Sequence, residues 1–159
     1  MTRAYVGIGS NKGDPRAQVL GAFEALAALP ETRCAGRSPL YRSAPVDAPG
    51  QADFVNAVAA LDTALSAPQL LEALLAIEAA HGRERPYANA PRTLDLDLLL
   101  YGDSILASPQ LTLPHPRMHQ RAFVLRPLLD LDPRAEVPDR GAARALLQAC
   151  AGQSLARLD

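Results

Sequence analysis

Apolar positions along the chain change period several times, and each change marks an element. Ala4-Tyr5-Val6-Gly7-Ile8-Gly9 reads as a first strand running into the polar stretch Ser10-Asn11-Lys12-Gly13-Asp14, where the glycines point to a tight turn. Asp14-Pro15 starts a helix, with Asp as N-cap and Pro at the first position; Val19, Phe23, Leu26 and Ala27 fall on one face before Pro30. Residues 32–43 predict a second strand, and 44–51 a loop stiffened by Pro45 and Pro49. Residues 53–61 predict a third strand with Phe54, Asn56 and Val58 on one face. Ser66-x-x-Gln69 is a capping box opening a second helix, with Leu70, Leu74 and Ile77 as its buried stripe and Gly82 as its stop. A polar loop, 83–92, delivers the chain into Leu94-Asp95-Leu96-Asp97-Leu98, a period-two alternation that continues as an apolar run to Tyr101. Gly102-Asp103-Ser104 is a turn, and His115, set between Pro114 and Pro116, predicts irregular backbone. Phe123 to Leu131 is apolar and interrupted by Pro127, and 142–149 predicts a short terminal helix.

This order of strands and helices, with hairpin-compatible links, predicts one domain over residues 1–159. Its class is α+β, a ferredoxin-like, mainly antiparallel sheet with helices packed on it.

Within that frame the Leu/Asp alternation carries the chemistry. On a strand, Leu94, Leu96 and Leu98 share one face, while Asp95 and Asp97 share the other about 7 Å apart at the backbone. A helix would turn the two carboxylates away from each other. Two like charges side by side on a half-buried strand repel unless a cation lies between them. Magnesium suits a few carboxylates plus phosphate oxygens. The other reading is an exposed face with each Asp solvated or paired to Arg. Arg83, Arg85 and Arg92 precede the pair and serve either to neutralise it or to clamp phosphate. Asn56 stands among apolar neighbours, where an amide costs about 1–3 kcal/mol unless it is hydrogen-bonded, so it has a structural partner or touches a ligand. Glu78 lies near a helix C-terminus, which does not favour an anion; it is a surface residue or it faces a ligand.

Composition narrows the classes. The apolar fraction is 48%, the charged fraction 21% and the net charge −1, so no basic field points to nucleic acid. Cys34 and Cys150 form no ligand-spaced motif, and His81, His115 and His119 lack zinc-ligand spacing; reduced thiols in a cytoplasm follow. No apolar run approaches a membrane span, and no export signal opens the chain. Gly7, Gly9 and Gly13 do not give the dinucleotide fingerprint. A ferredoxin-like sensor domain would not need the Asp pair with converging arginines, and a metal-dependent nuclease should carry a basic face.

Gly9-Ser10-Asn11, Tyr41-Arg42-Ser43, Asp53-Phe54-Val55-Asn56-Ala57, Gly82-Arg83-x-Arg85, Pro91-Arg92-Thr93-Leu94-Asp95-Leu96-Asp97 and Pro114-His115-x-x-Met118-x-x-Arg121-x-Phe123 together resemble the 6-hydroxymethyl-7,8-dihydropterin pyrophosphokinases of folate biosynthesis. The resemblance covers essentially the whole chain. It implies transfer of pyrophosphate from ATP, the co-substrate, to the hydroxymethyl group of a reduced pterin, with these small molecules as its partners; a monomer is the expectation for the chain. It implies two Mg2+ ions on Asp95 and Asp97, with Arg83 and Arg92 as further catalytic residues. Glu78, Arg85, Arg92, Leu98, Thr112, His115 and Arg121 match ATP-binding positions. Phe54 and Phe123 match the rings that sandwich the pterin, Asn56 the amide that reads its edge, and Ser43, Ala44, Val46 and Asp95 the rest of that pocket. The chain departs from the family pattern in having no Trp, its loop reading Pro86-Tyr87-Ala88-Asn89-Ala90, and in carrying Gln110 where some members have Arg.

Overall fold

The computed structural model describes residues 1–45, 50–81 and 93–158. Strand β1 (Thr2–Ser10) leads into helix α1 (Pro15–Ala27), followed by β2 (Thr32–Arg37), β3 (Leu40–Ser43), the long β4 (Phe54–Thr63) and helix α2 (Ala67–Ala80). After β5 (Asp95–Tyr101) come a small hairpin, β6 (Leu106–Ala107) and β7 (Thr112–Leu113), and helix α3 (Ala122–Leu131). A second small hairpin, β8 (Glu136–Val137) and β9 (Gly141–Ala142), precedes the short helix α4 (Ala143–Gln148) and a last strand, β10 (Leu155–Leu158).

The central sheet runs β5-β1-β4, with β2 and β3 sharing the far edge of β4 and β10 outside β3; every pairing is antiparallel. This is the ferredoxin-like α+β arrangement with one strand broken in two. The break replaces the single strand expected over 32–43. Pro39 has no N–H to donate, and Ser38 bridges the gap. Its N–H donates to the Val58 carbonyl at 2.9 Å and its Oγ accepts from Val58 N at 2.8 Å.

Both helix starts follow the sequence. Asp14 Oδ1 accepts from Ala17 N at 3.2 Å. Ser66 and Gln69 exchange bonds of 3.2 and 2.9 Å in a complete capping box. On α1 the buried stripe is Val19, Ala22, Phe23 and Leu26, while Ala27 is exposed. α2 ends at Ala80 with His81 as its C-cap, and Gly82 lies outside the described residues. The stretch 122–131 is a helix despite Pro127, which only forgoes the bond to the Phe123 carbonyl. Gly7 and Gly9 lie inside β1 rather than in a turn; only Gly13, at φ +72°, sits in one.

The sheet separates two cores. On one face Val6, Ile8, Leu61, Leu94, Leu96 and Leu98 pack with Phe23 and Leu26 of α1 and Leu70 and Leu74 of α2. On the other, Tyr5, Val58, Leu99 and Leu100 pack with Leu125 and Leu128 of α3 and Ala143 of α4.

Candidate active site

Antiparallel pairing sets Gly9 of β1 opposite both Asp95 of β5 and Asn56 of β4, and Gly7 opposite Asp97 and Val58. Paired residues project to the same side of a sheet. Asp95, Gly9 and Asn56 therefore form a row on the α3 face, carboxylate and amide two strand spacings, roughly 10 Å, apart at the backbone. Between them stands a residue with no side chain. A Cβ on Gly9 would lie 3.2 Å from Asn56 Oδ1 and 3.6 Å from Phe54 Cδ1, so those two side chains lean over the space glycine leaves. Leu94, Leu96 and Leu98 point the opposite way, into the core, which fixes Asp95 and Asp97 together on the open side.

Buried polar groups hold this row in place. Asn56 Nδ2 donates to Ser43 Oγ at 2.6 Å, which supplies the structural partner its apolar setting demands. Asn11 Nδ2 donates to Gln51 Oε1 at 3.1 Å and to the Ala52 carbonyl at 3.2 Å, tying the end of β1 to the chain entering β4. Glu78 is only 2% exposed, so it is not a surface residue. Its Oε2 accepts from the Leu96 N–H at 2.7 Å, docking α2 onto β5 behind the aspartates. Leu98 likewise belongs to the core through its side chain, so only its backbone can reach a ligand. Thr112 is exposed on β7, paired with Ala107.

His115 connects the aspartates to the start of α3. Its N–H donates to the Leu99 carbonyl at 2.9 Å, pinning the proline-flanked segment to β5. Its Nδ1 accepts from Arg117 N at 3.2 Å, and its Nε2 stands 3.9 Å from Asp97 Oδ1. Desolvation, with Arg121 and Arg117 adding to it, pushes the imidazole pKa down to about 4 against an upward pull from Asp95. At neutral pH the ring is uncharged, with its proton on Nε2 facing Asp97, and the 3.9 Å approach is not an ion pair. Arg121 lies over the Phe123 ring at 5.5 Å from its centroid.

A cleft of about 630 Å³ opens beside this row. One wall is Ser43, Ala44 and Pro45; the facing wall runs Arg117, Gln120, Arg121, Ala122 and Phe123; Gln153 and Ser154 form the rim. The structure thus brings together Ser43, Ala44, Arg121 and Phe123 of the predicted set, with Asn56 bonded to the first wall. Asp95 and Asp97 stand beyond the cleft lining, linked to it through His115. Val46, Arg83, Arg85 and Arg92, with the loop that carries those three arginines, lie outside the described residues. Sequence reasoning missed Arg117, Gln120, Gln153 and Ser154. The first two were within sight, in the run ending at Arg121, whereas Gly152-Gln153-Ser154 reads only as a turn.

Among the described residues no three His, Cys, Asp or Glu side chains converge as a metal cluster. Asp95 and Asp97 offer hard oxygen donors on one face, with the Asp97 side chain 39% exposed. That donor set fits a cation that takes one or two carboxylates and completes its shell with water and phosphate oxygens, as magnesium does.

A ferredoxin-like sheet with an acidic pair and a basic, aromatic-walled cleft on its open face defines a small-molecule phosphate-handling domain. Residues 5–133 match the family described as 7,8-dihydro-6-hydroxymethylpterin-pyrophosphokinase (HPPK), and the chain belongs to that family. It is 49% identical over 156 residues to the 2-amino-4-hydroxy-6-hydroxymethyldihydropteridine pyrophosphokinase of Pseudomonas aeruginosa, covering 98% of this chain and 96% of that one. It is 38% identical over 159 residues to the protein of the same name from Haemophilus influenzae, covering 100% of this chain and 99% of that one. The fold is shared with wild-type Plasmodium falciparum HPPK-DHPS in crystal form, at a TM-score of 0.69 and 14% identity, over 94% of this chain and 43% of that one. No helix among the described residues is long and apolar enough to cross a membrane.

Proposed function

We infer that this chain transfers pyrophosphate from ATP to the hydroxymethyl group of 6-hydroxymethyl-7,8-dihydropterin, giving AMP and the pterin diphosphate for folate biosynthesis. The observation that carries the reading is the row Asp95–Gly9–Asn56, an acid and an amide flanking a side-chain-free floor, with Asn56 bonded to Ser43 of the cleft that Phe123 also lines. Such a slot suits a flat heterocycle whose edge hydrogen-bonds and whose faces stack.

The bond that breaks joins the α–β bridging oxygen of ATP to the β-phosphorus, and that oxygen leaves on AMP. The hydroxymethyl oxygen forms the new bond to the β-phosphorus and loses its proton. Such a transfer asks the protein for alignment and charge neutralisation rather than a covalent intermediate. Asn56, Phe54, Phe123 and Asp95 orient the pterin, with the backbone at Ser43, Ala44 and Val46 closing its pocket. Arg121 and neutral His115 bind the nucleotide, assisted by Glu78, Thr112, Arg85 and the Leu98 backbone. Arg83 and Arg92 meet phosphate charge as it develops. Asp95 and Asp97 would hold two magnesium ions, which would supply neutralisation of the phosphate charge. Unpaired Cys34 and Cys150 suit a reducing cytoplasm, and the chain works as a monomer.

The test is AMP release from ATP, followed with and without magnesium and with and without the reduced pterin. The expected result is turnover only when both are present. Equal AMP release without pterin would replace this reading with a simple ATP hydrolase.

A further inference from the structure

We propose that the C-terminal segment 150–158 is a strap that sets the spacing of the cleft walls, and that Gln153 is the positioning residue through which it acts on Arg121 and Phe123. The proposal rests on the functional reading above only for what the cleft binds.

The first N–H groups of a helix have no acceptor within it and need one from elsewhere. Arg121, the N-cap of α3, makes no side-chain capping bond. Gln153, far along the chain, does the work instead: its Oε1 accepts from Ala122 N at 2.9 Å. Its Nε2 donates to the Gln120 carbonyl at 2.7 Å. One amide therefore grips the backbone on both sides of Arg121 and fixes the peptide that leads into Phe123. These two residues are the pair stacked at 5.5 Å on the cleft wall.

The same segment also holds the opposite wall. β10 pairs with β3, Leu155 lying opposite Ser43 and Ala156 opposite Arg42, and Ser43 leads directly into Ala44. The turn that brings Gln153 round from the end of α4 is closed by Gln153 N donating to the Cys150 carbonyl at 2.9 Å. A strand ladder fastens one wall and a single side chain fastens the other, with Gln153 and Ser154 at the rim between them. Loosening the strap should cost binding rather than chemistry, because ligands would have to re-form a wall that is now preset.

The test uses Gln153→Met, which keeps the side chain's length and removes both hydrogen bonds, in the full-length protein. Titration calorimetry with the reduced pterin, and separately with a non-hydrolysable ATP analogue, should show each Kd raised about 5- to 30-fold, while kcat at saturation stays within about twofold. In ligand-free protein, hydrogen exchange at the Ala122 amide should quicken at least about tenfold. Gln153→Glu keeps the acceptor for Ala122 N but cannot donate to Gln120; it should lie between wild type and Gln153→Met, and it decides the matter alone if the Met variant does not fold. Unchanged Kd values with a lowered Tm would overturn the proposal and leave Gln153 a fold staple. Wild type inactive toward the pterin would defeat the functional reading, while amide exchange would still decide the strap.

Discussion

The two faces of the central sheet are built from the same strands and finished differently. On one side α1 and α2, of 13 and 14 residues, lie over Val6, Ile8, Leu61, Leu94, Leu96 and Leu98. On the other side the principal cover is α3, with 10 residues, about 15 Å of helix against roughly 20 Å for α1 or α2. That shorter cover packs on Tyr5, Val58 and Leu99, and the sheet beyond them carries Gly9, Asn56, Asp95 and Asp97 instead of core residues. A half-covered face is thus where polar chemistry is affordable, and the covered face provides the rigidity that aims it. Alternation along β5 writes both faces into a single stretch of sequence.

Substitutions one residue apart should separate the two roles. If Asp97 holds the metal as proposed, Asp97→Asn should lower turnover by about 10³-fold or more, because it removes charge that would face metal and phosphate. Metal-free protein should keep its Tm within about 2 °C or gain slightly, since a like-charge pair is relieved. Thermal melts in chelator beside AMP-release kinetics check both halves. A drop of roughly 3–5 kcal/mol in the chelated variant would mean that Asp97 is half of a buried ion pair, and would remove it from the metal assignment. Leu96→Ala, its neighbour on the covered face, should do the reverse. A cavity among α2 and β1 residues costs about 2–5 kcal/mol, or roughly 4–20 °C of Tm in a chain of this size. What folded enzyme remains should turn over within a few-fold of wild type. Comparable kinetic losses in both variants would erase the distinction between the faces.

How far this was legible in sequence differs between the same two faces. The covered face follows from periodicity, because burial and period are the same physics: the β5 leucines, the α2 stripe and both helix caps stand where the pattern puts them. The open face was legible in its residues and not in its supports. Asp95, Asp97, Asn56 and Phe123 stand out locally, one as an amide among apolar neighbours and two as paired carboxylates. Their partners are set by register and long-range packing: Ser43 on Asn56, Leu96 N on Glu78, Gln153 on Ala122. None of these pairs has a spacing that a helix or a hairpin would announce. β10 was missed for a related reason, since four residues whose only partner is another short edge strand carry too little period to read. Gly9 looked like a turn residue, and its use is to leave room inside a strand.

That use of Gly9 gives a test of the open face alone. Gly9→Ala would place a methyl group 3.2 Å from Asn56 Oδ1 and 3.6 Å from Phe54 Cδ1, forcing both to shift by a few tenths of an ångström. Gly7→Ala meets only Leu99 side-chain atoms, at 3.4 Å, which is near ordinary contact. The expected outcome is a pterin Kd raised about 10- to 100-fold in Gly9→Ala and within about threefold of wild type in Gly7→Ala. The ATP analogue should bind both variants nearly normally. Equal effects from the two glycines would show that strand packing, and not the space before Asn56, governs the pocket.

The smallest expected effect belongs to His115, at the boundary between the open face and the core. Burial, with Arg121 and Arg117 nearby, holds its pKa down to about 4, against 6.5 for the free side chain. Between those values the unfolded chain binds a proton that the folded chain does not. The folded state therefore has this contribution in full above about pH 6.5 and loses it as the pH falls toward 4. Between about pH 7.5 and 5, wild type should lose on the order of 1–2 kcal/mol more than His115→Gln, whose side chain does not titrate. In melts of metal-free, ligand-free protein that is roughly 2–8 °C of extra Tm loss. Parallel pH profiles would mean the imidazole is solvated in the folded chain. A wild type that gains on the variant as the pH falls would mean that protonated His115 pairs with Asp97 across the 3.9 Å separation. The open face would then carry its own internal cation, and the second carboxylate would already be neutralised before any metal arrived.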